Sequence, residues 1–192
     1  MEINESLIRD VVREVMEKLD KEDASQSGMH GVFGTMEEAI KASKEAQKVI
    51  RDMTLDQREK IISNIRKATR ENAETIARMG VEETGMGNVG DKILKHRLVA
   101  DKVPGTEDIT TEAVSGDRGL TLVEMGPFGV IGAITPVTNP SETVLCNTMG
   151  MIAGGNSVVF NPHPNAVKTT IYTIDMVNKC SLEAGGPDNI AC

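Results

Sequence analysis

GPFGVIGAITPVTNPSETVLCNTMGMIAGGNSVVFNPHP, residues 126–164, decides the fold. Val130–Thr135 is a glycine-spaced apolar run of strand length, and Pro136 stops it. Asn139-Pro140-Ser141-Glu142 has the form of a helix start, with Asn as N-cap, Pro at the first helical position and Glu three after the cap. An apolar helix follows, and Gly154-Gly155-Asn156 ends it. Ser157–Phe160 is a second buried strand, closed by Asn161-Pro162-His163-Pro164. Strand, helix and strand at this spacing make a βαβ unit in a parallel sheet. Ligands of such sheets sit beyond the carboxyl ends of the strands. Here those ends are Thr135–Asn139 and Asn161–Pro164.

Working outward, Asn165 is placed to cap a long helix carrying Val167, Ile171, Ile174, Val177 and Leu182. Ala184-Gly185-Gly186-Pro187 ends it, and Asp188–Cys192 begins a third strand. Upstream, Ile109–Val114 and Leu120–Met125 flank a five-residue loop, Ser115–Gly119, as a hairpin. Thr35 to Lys102 reads as four helices. Thr35-Met36-Glu37-Glu38 and Thr54-Leu55-Asp56-Gln57 are capping boxes for the first two. The third carries Ala73, Ile76, Ala77 and Val81, and Gly85-Met86-Gly87 ends it. The fourth runs from about Val89 through Leu98, with His96 read as a surface residue because no second ligand stands four residues away.

Residues 1–20 form a separate signal. Ile3, Leu7, Ile8, Val11, Val12 and Val15 lead one apolar stripe, with mixed charges opposite. Residues 20–28, DKEDASQSG, are polar and turn-forming, so 21–31 is read as a linker and 32–192 as the domain. A tethered stripe of this kind docks on a partner groove, or packs on its own domain or a sister subunit.

Composition removes several classes. A net charge of −8 and 2% aromatic residues argue against nucleic-acid binding. No apolar run approaches the roughly 20 residues of a membrane helix, so no membrane partner is expected. The three cysteines, Cys146, Cys180 and Cys192, have neither metal nor disulfide-framework spacing, which fits a reducing cytoplasm. Gly126, Gly129 and Gly132 precede or interrupt the first strand instead of following it, so the common dinucleotide fingerprint is absent. No metal cluster and no Ser, His and acid set can be read from spacing. The residues alone describe part of an α/β protein with a ligand site at its strand ends.

The wording of the motifs goes further. Ala133–Pro140, AITPVTNP, followed by Ala153–Pro162, AGGNSVVFNP, resembles the aldehyde dehydrogenase superfamily. T-N-P-S-E-T in the first turn, F-N-P-H-P after the second strand, Glu83–Gly87 and Val103–Asp108 resemble its CoA-acylating branch. Residues 1–20 with their linker are similar to the encapsulation peptides of bacterial microcompartment enzymes. The resemblance is to the acetaldehyde and propionaldehyde dehydrogenases of ethanolamine and propanediol utilisation.

That resemblance implies a fold of N-terminal helices, a β-hairpin (109–125) from an oligomerisation region, and the first βαβα of a Rossmann-like cofactor domain, truncated before the catalytic domain. It implies NAD or NADP as cofactor, CoA as co-substrate, a homo-oligomer, and microcompartment shell or core proteins as partners of residues 1–19. In the reaction it implies, a cysteine thiolate attacks the aldehyde, hydride leaves for the nicotinamide, and the CoA thiol releases acyl-CoA. Asn139, or Thr138 beside it, occupies the turn of the oxyanion-hole amide; Asn139 is equally readable as a plain N-cap, and both can hold in different states. Ile134, Thr135 and Pro136 match the nicotinamide side, and Thr138 is counted with them as cofactor-binding. Asn161, His163 and Pro164 match the turn that meets the adenosine ribose, although the Lys and Glu of non-acylating relatives are replaced here by Asn161 and Pro164. The family's nucleophilic cysteine lies past residue 192, so Cys146, Cys180 and Cys192 are read as structural thiols and the chain as inactive alone. The competing readings are a targeting or scaffold fragment acting through its N-terminal helix, and an intact small nucleotide-binding protein.

Overall fold

The computed structural model describes residues 28–192. The expected amphipathic helix over 1–20 and most of the linker lie outside the described residues.

Helix α1, Met36–Asp52, starts at Thr35, whose side chain accepts from the Glu38 amide. Half of the expected box therefore forms. At Thr54 both halves form, and α2 runs from Leu55 to Thr84 as one helix of 30 residues. The sequence reads as two helices here, one starting at Thr54 and a second carrying Ala73, Ile76, Ala77 and Val81. The stripe instead continues through Thr69, which is fully buried and returns its hydroxyl to the Ile65 carbonyl at 2.7 Å. A small side chain that satisfies its own oxygen keeps the packing face unbroken. Gly85 ends the helix in the left-handed region at φ 68.

Helix α3, Val89–Lys102, is capped by Asn88 and turns an unexpected face inward. Lys92, His96 and Ala100 are buried, while Leu94 and Leu98 are exposed. Four-residue spacing puts the first three on one stripe. The hairpin pairs β1, Glu112–Gly116, with β2, Glycine-led Gly119–Val123, antiparallel. Pairing extends to Gly116 opposite Gly119, so the loop is the two residues Asp117-Arg118 and not five. Every residue of both strands is exposed.

The βαβ unit forms as expected. Strand β3, Val130–Thr135, and strand β4, Ser157–Pro162, are parallel and joined by α4, Pro140–Ala153. Asn156 fixes the start of β3 by accepting from the Phe128 and Gly129 amides at 2.6 and 3.0 Å. A third strand begins beside β4: Val158 bridges Ala191 in parallel, and Phe160 donates to the Cys192 carbonyl at 2.7 Å. Helix α5, Val167–Glu183, connects the two. Asn165 does not cap it; it sits in a short 3-10 turn and donates its amide to His163 Nδ1. The cap comes from α2, where the Glu83 carboxylate accepts from the Lys168 and Thr169 amides, each at 2.7 Å. A carboxylate at a helix N-terminus meets both the free amides and the dipole.

Alternation along β4 separates two packing faces. Val158 and Phe160 join the main core, formed with Ile61, Ile65, Leu145 and Val177 of α2, α4 and α5. Val159 faces α1 with Ala39 and Cys192. No helix among the described residues is long and apolar enough to cross a membrane.

Candidate functional site

Parallel pairing brings the two strand ends to one edge. Ile134 is the register partner of Asn161, and Thr135 of Pro162. The expected nicotinamide-side and ribose-side residues are therefore neighbours. Ile134 is 83% exposed, and Pro136 and Asn161 are exposed beside it. A cavity of about 440 Å³ opens against this edge, lined by Ile134, Val159 and Asn161 with Met36, Ile40 and Lys44 of α1. A bare isoleucine at the carboxyl end of a parallel strand, above a mainly apolar cavity with an amide and an ammonium at its rim, fits a flat aromatic ring with polar substituents. The Thr135 hydroxyl is buried and has no hydrogen-bond partner among the described residues, an unspent donor at the same strand end. His163 and Pro164 follow β4 and are not among the residues that line this cavity; the His163 Nδ1 accepts the Asn165 amide at 3.1 Å. The residues present thus fit a nicotinamide dinucleotide.

Asn139 stands at the N-cap position of α4 but makes no side-chain cap bond, so that expectation is corrected. Its backbone, at φ −140 and ψ 60, departs from the extended conformation of a bonded N-cap. Asn139 Oδ1 instead lies 2.9 Å from Lys95 Nζ. An ammonium can only donate, so the amide oxygen must face it and the Nδ2 hydrogens point elsewhere. Nδ2 has no hydrogen-bond partner among the described residues. A half-buried amide with a fixed oxygen and free donors has the chemistry an oxyanion requires.

Four residues behind this turn were not singled out from the sequence as a group. Lys92 Nζ donates to the Thr138 carbonyl at 2.7 Å and lies 3.4 Å from Glu142 Oε1. Glu142 Oε2 is 3.1 Å from Ser141 Oγ, which is 2.8 Å from His96 Nε2. All four are nearly or wholly buried. His96 is therefore not the surface residue expected. The spacing of Lys92 and His96 was visible, but a stripe of polar residues is read as solvated until its partners on another helix are known.

Burial holds the His96 imidazole below its ordinary value; the Glu142 carboxylate and the Lys92 carbonyl oppose this less strongly. An unfolded imidazole takes its proton near about 6.5, and the folded one only at lower pH. Its contribution is thus complete above that value and is lost as pH falls from there toward the folded pKa. The urea midpoint is expected to be lower at about pH 5.5 than at about pH 7.5, and His96→Gln to remove this part of the difference.

None of the thiols is prepared for attack. Cys180 and Cys192 are pushed up to about 12, chiefly by burial. Burial also raises Cys146. A nucleophilic thiolate needs the opposite shift.

A parallel βαβ unit with an open cavity at its strand ends belongs to the α/β class, in which ligands bind beyond the carboxyl ends of the strands. Residues 24–190 match the aldehyde dehydrogenase family, and the chain belongs to it. It is 44% identical to the acetylating acetaldehyde dehydrogenase of Bilophila wadsworthia, an alignment covering 99% of this chain and 41% of that protein. The propionaldehyde dehydrogenase of the Clostridium phytofermentans fucose utilisation microcompartment superposes with a TM-score of 0.84 at 72% identity, covering 85% of this chain and 38% of that one. The Rhodopseudomonas palustris propionaldehyde dehydrogenase with bound propionyl-CoA gives 0.82 at 46% identity, over 88% and 38%. The chain matches the N-terminal part of these relatives and spans about 40% of their length.

Proposed function

We propose that this chain provides the cofactor-side portion of a CoA-acylating aldehyde dehydrogenase, which converts a short aldehyde, acetaldehyde or propionaldehyde, with CoA and NAD to acyl-CoA and NADH. The observation that carries this reading is the register of β3 and β4, which sets exposed Ile134 against Asn161 at one sheet edge. Ile134, Thr135 and Pro136 would hold the nicotinamide end; Asn161, His163 and Pro164 would hold the adenosine end. When bound, the nicotinamide supplies the hydride acceptor. The chain's own contribution is to seat that ring on Ile134, to shield it with the α1 side of the cavity, and to offer Asn139 Nδ2 to the substrate oxygen. Relatives acting on acetaldehyde and propionaldehyde support the substrate class. The microcompartment origin of the Clostridium phytofermentans relative supports a compartment-loaded enzyme with residues 1–19 as the targeting helix, and the exposed hairpin supports homo-oligomer formation.

Purified residues 1–192 are expected to form no NADH from propionaldehyde and CoA, because no thiol among Cys146, Cys180 and Cys192 has a lowered pKa. Turnover by this chain alone would overturn the reading. An in-frame chimera, in which these residues replace the matching part of the Clostridium phytofermentans enzyme, is expected to make propionyl-CoA. Asn139→Ala in that chimera is expected to lower kcat by about 10²–10³-fold with little change in KM for NAD, as loss of an oxyanion donor does.

A further inference from the structure

The turn between β3 and α4 is held from outside by α3. Lys92 reaches the Thr138 carbonyl, and Lys95 reaches the Asn139 amide oxygen. The Lys92 side chain is 5% exposed and that of its partner Glu142 is 6% exposed. Lysine at such depth is kept only when paired. Behind the pair, the hydrogen bonds obey a proton count. His96 Nδ1 is 2.7 Å from the Lys92 carbonyl, which only accepts, so Nδ1 carries a hydrogen. Ser141 Oγ touches both His96 Nε2 and Glu142 Oε2 but has one hydrogen. With a neutral ring, that hydrogen goes to Nε2, and Glu142 Oε2 faces an oxygen lone pair. With a protonated ring, Nε2–H donates to Oγ and the hydroxyl turns to Glu142. Both contacts are bonded only when one further proton is present.

We propose that Lys92 is a positioning residue for the Thr135–Asn139 turn, and that the Ser141 hydroxyl relays the protonation of His96 to it through Glu142. The catalytic meaning of this rests on the turn being the oxyanion side; the relay itself is a property of this chain. With neutral His96, the Lys92 ammonium is the donor to Glu142 and stays seated over the Thr138 carbonyl. Proton uptake gives Glu142 a second donor and places a second cation beside Lys92. Lys92 then holds the turn less firmly, and the Asn139 amide shifts with it. The charged groups acting on His96 are Glu142 from α4 and Lys92 and Lys95 from its own helix. From α2, Arg70 is taken up by Asp101 and the Ala100 carbonyl one turn away, and Arg66 by the Val103 carbonyl.

The test is nitrogen–proton NMR of residues 1–192 titrated from about pH 8 to about pH 5, a range spanning the ordinary imidazole value. The Thr138 and Asn139 amides are expected to move with the midpoint of the His96 ring, below its ordinary value. In Ser141→Ala the ring is expected still to titrate while both amides lose that movement. In His96→Gln the amides are expected to stay flat, which keeps the test intact if the serine variant does not fold. Amides that ignore the His96 midpoint, or that follow it without the Ser141 hydroxyl, would overturn the proposal. The spectra need neither cofactor nor turnover, so an inactive chimera and an uncoupled turn are separate results.

Discussion

Glu142→Leu is expected to lower the unfolding free energy by about 3–5 kcal/mol, read from urea denaturation at neutral pH. The leucine itself is no burden at this site, since it is close in volume and apolar. The cost is the Lys92 ammonium, left inside the protein without its carboxylate. Coulomb attraction over 3.4 Å does not make such a pair strongly stabilising, because both ions were first taken out of water. Removing one member therefore harms more than the pair ever contributed. The double variant Glu142→Leu with Lys92→Met separates these effects. It is expected to recover most of the loss, because no charge is then stranded. Recovery stops short by about 0.5–1.5 kcal/mol, the net worth of the hydrogen bond that Lys92 gives to the Thr138 carbonyl. Full recovery would mean that Lys92 does not hold the turn, and no recovery would mean that the stranded ammonium is not the cause.

The same residues mark the limit of sequence reading. The βαβ unit was legible because its signals are local: Val130–Thr135 and Ser157–Phe160 are short apolar runs bounded by glycine, proline and asparagine. Parallel register then places Ile134 beside Asn161 with no further information. The continuity of α2 was not legible, because Thr69 enters the core as a polar residue that satisfies itself on the Ile65 carbonyl. The hairpin loop was overestimated, because Gly116 and Gly119 look like turn residues yet still pair. His96 was misplaced for a deeper reason. Its burial depends on Ser141, 45 positions away, and that of Lys92 on Glu142, 50 away. Periodicity counts apolar residues along one helix and is silent about a polar stripe that finds partners on another. Ser141 and Glu142 read locally as a helix start, so nothing in their own segment asks for partners. For Asn139 the position was right and the bonding was wrong: the cap site is occupied, but the side chain answers to Lys95.

The segment that precedes α1 gives the second large effect. Gly31→Ala is expected to cost about 2–5 kcal/mol, the sum of a left-handed backbone strain and an overlap in a packed site. Gly31 has φ +78, and a Cβ there would overlap the Ala191 carbonyl oxygen and the Asn178 side-chain nitrogen and stand 2.8 Å from Ile174 Cγ2. Those atoms are not free to move. Asn178 is fully buried and donates to the Ala191 carbonyl at 2.7 Å while accepting from the Ile190 amide at 2.9 Å. One side chain on α5 thus holds the start of the third strand by a donor and an acceptor, and displacing it unpairs buried groups. The neighbouring His30 tightens the same joint: its amide donates to Asp175 at 2.9 Å and its Nδ1 lies 2.8 Å from Asp188. Gly185 is the control. Its φ of +80 matches that of Gly31, but nothing stands within 4 Å of where its Cβ would lie. Gly185→Ala is therefore expected to cost only the backbone strain, about 1–2 kcal/mol. Equal losses in urea for the two variants would show that strain alone matters and that Gly31 is not wedged against the third strand. A larger loss at Gly31, with faster hydrogen exchange at Ile190 and Cys192, is the result the packing requires, because the Cys192 amide is otherwise held by the Val158 carbonyl at 2.9 Å.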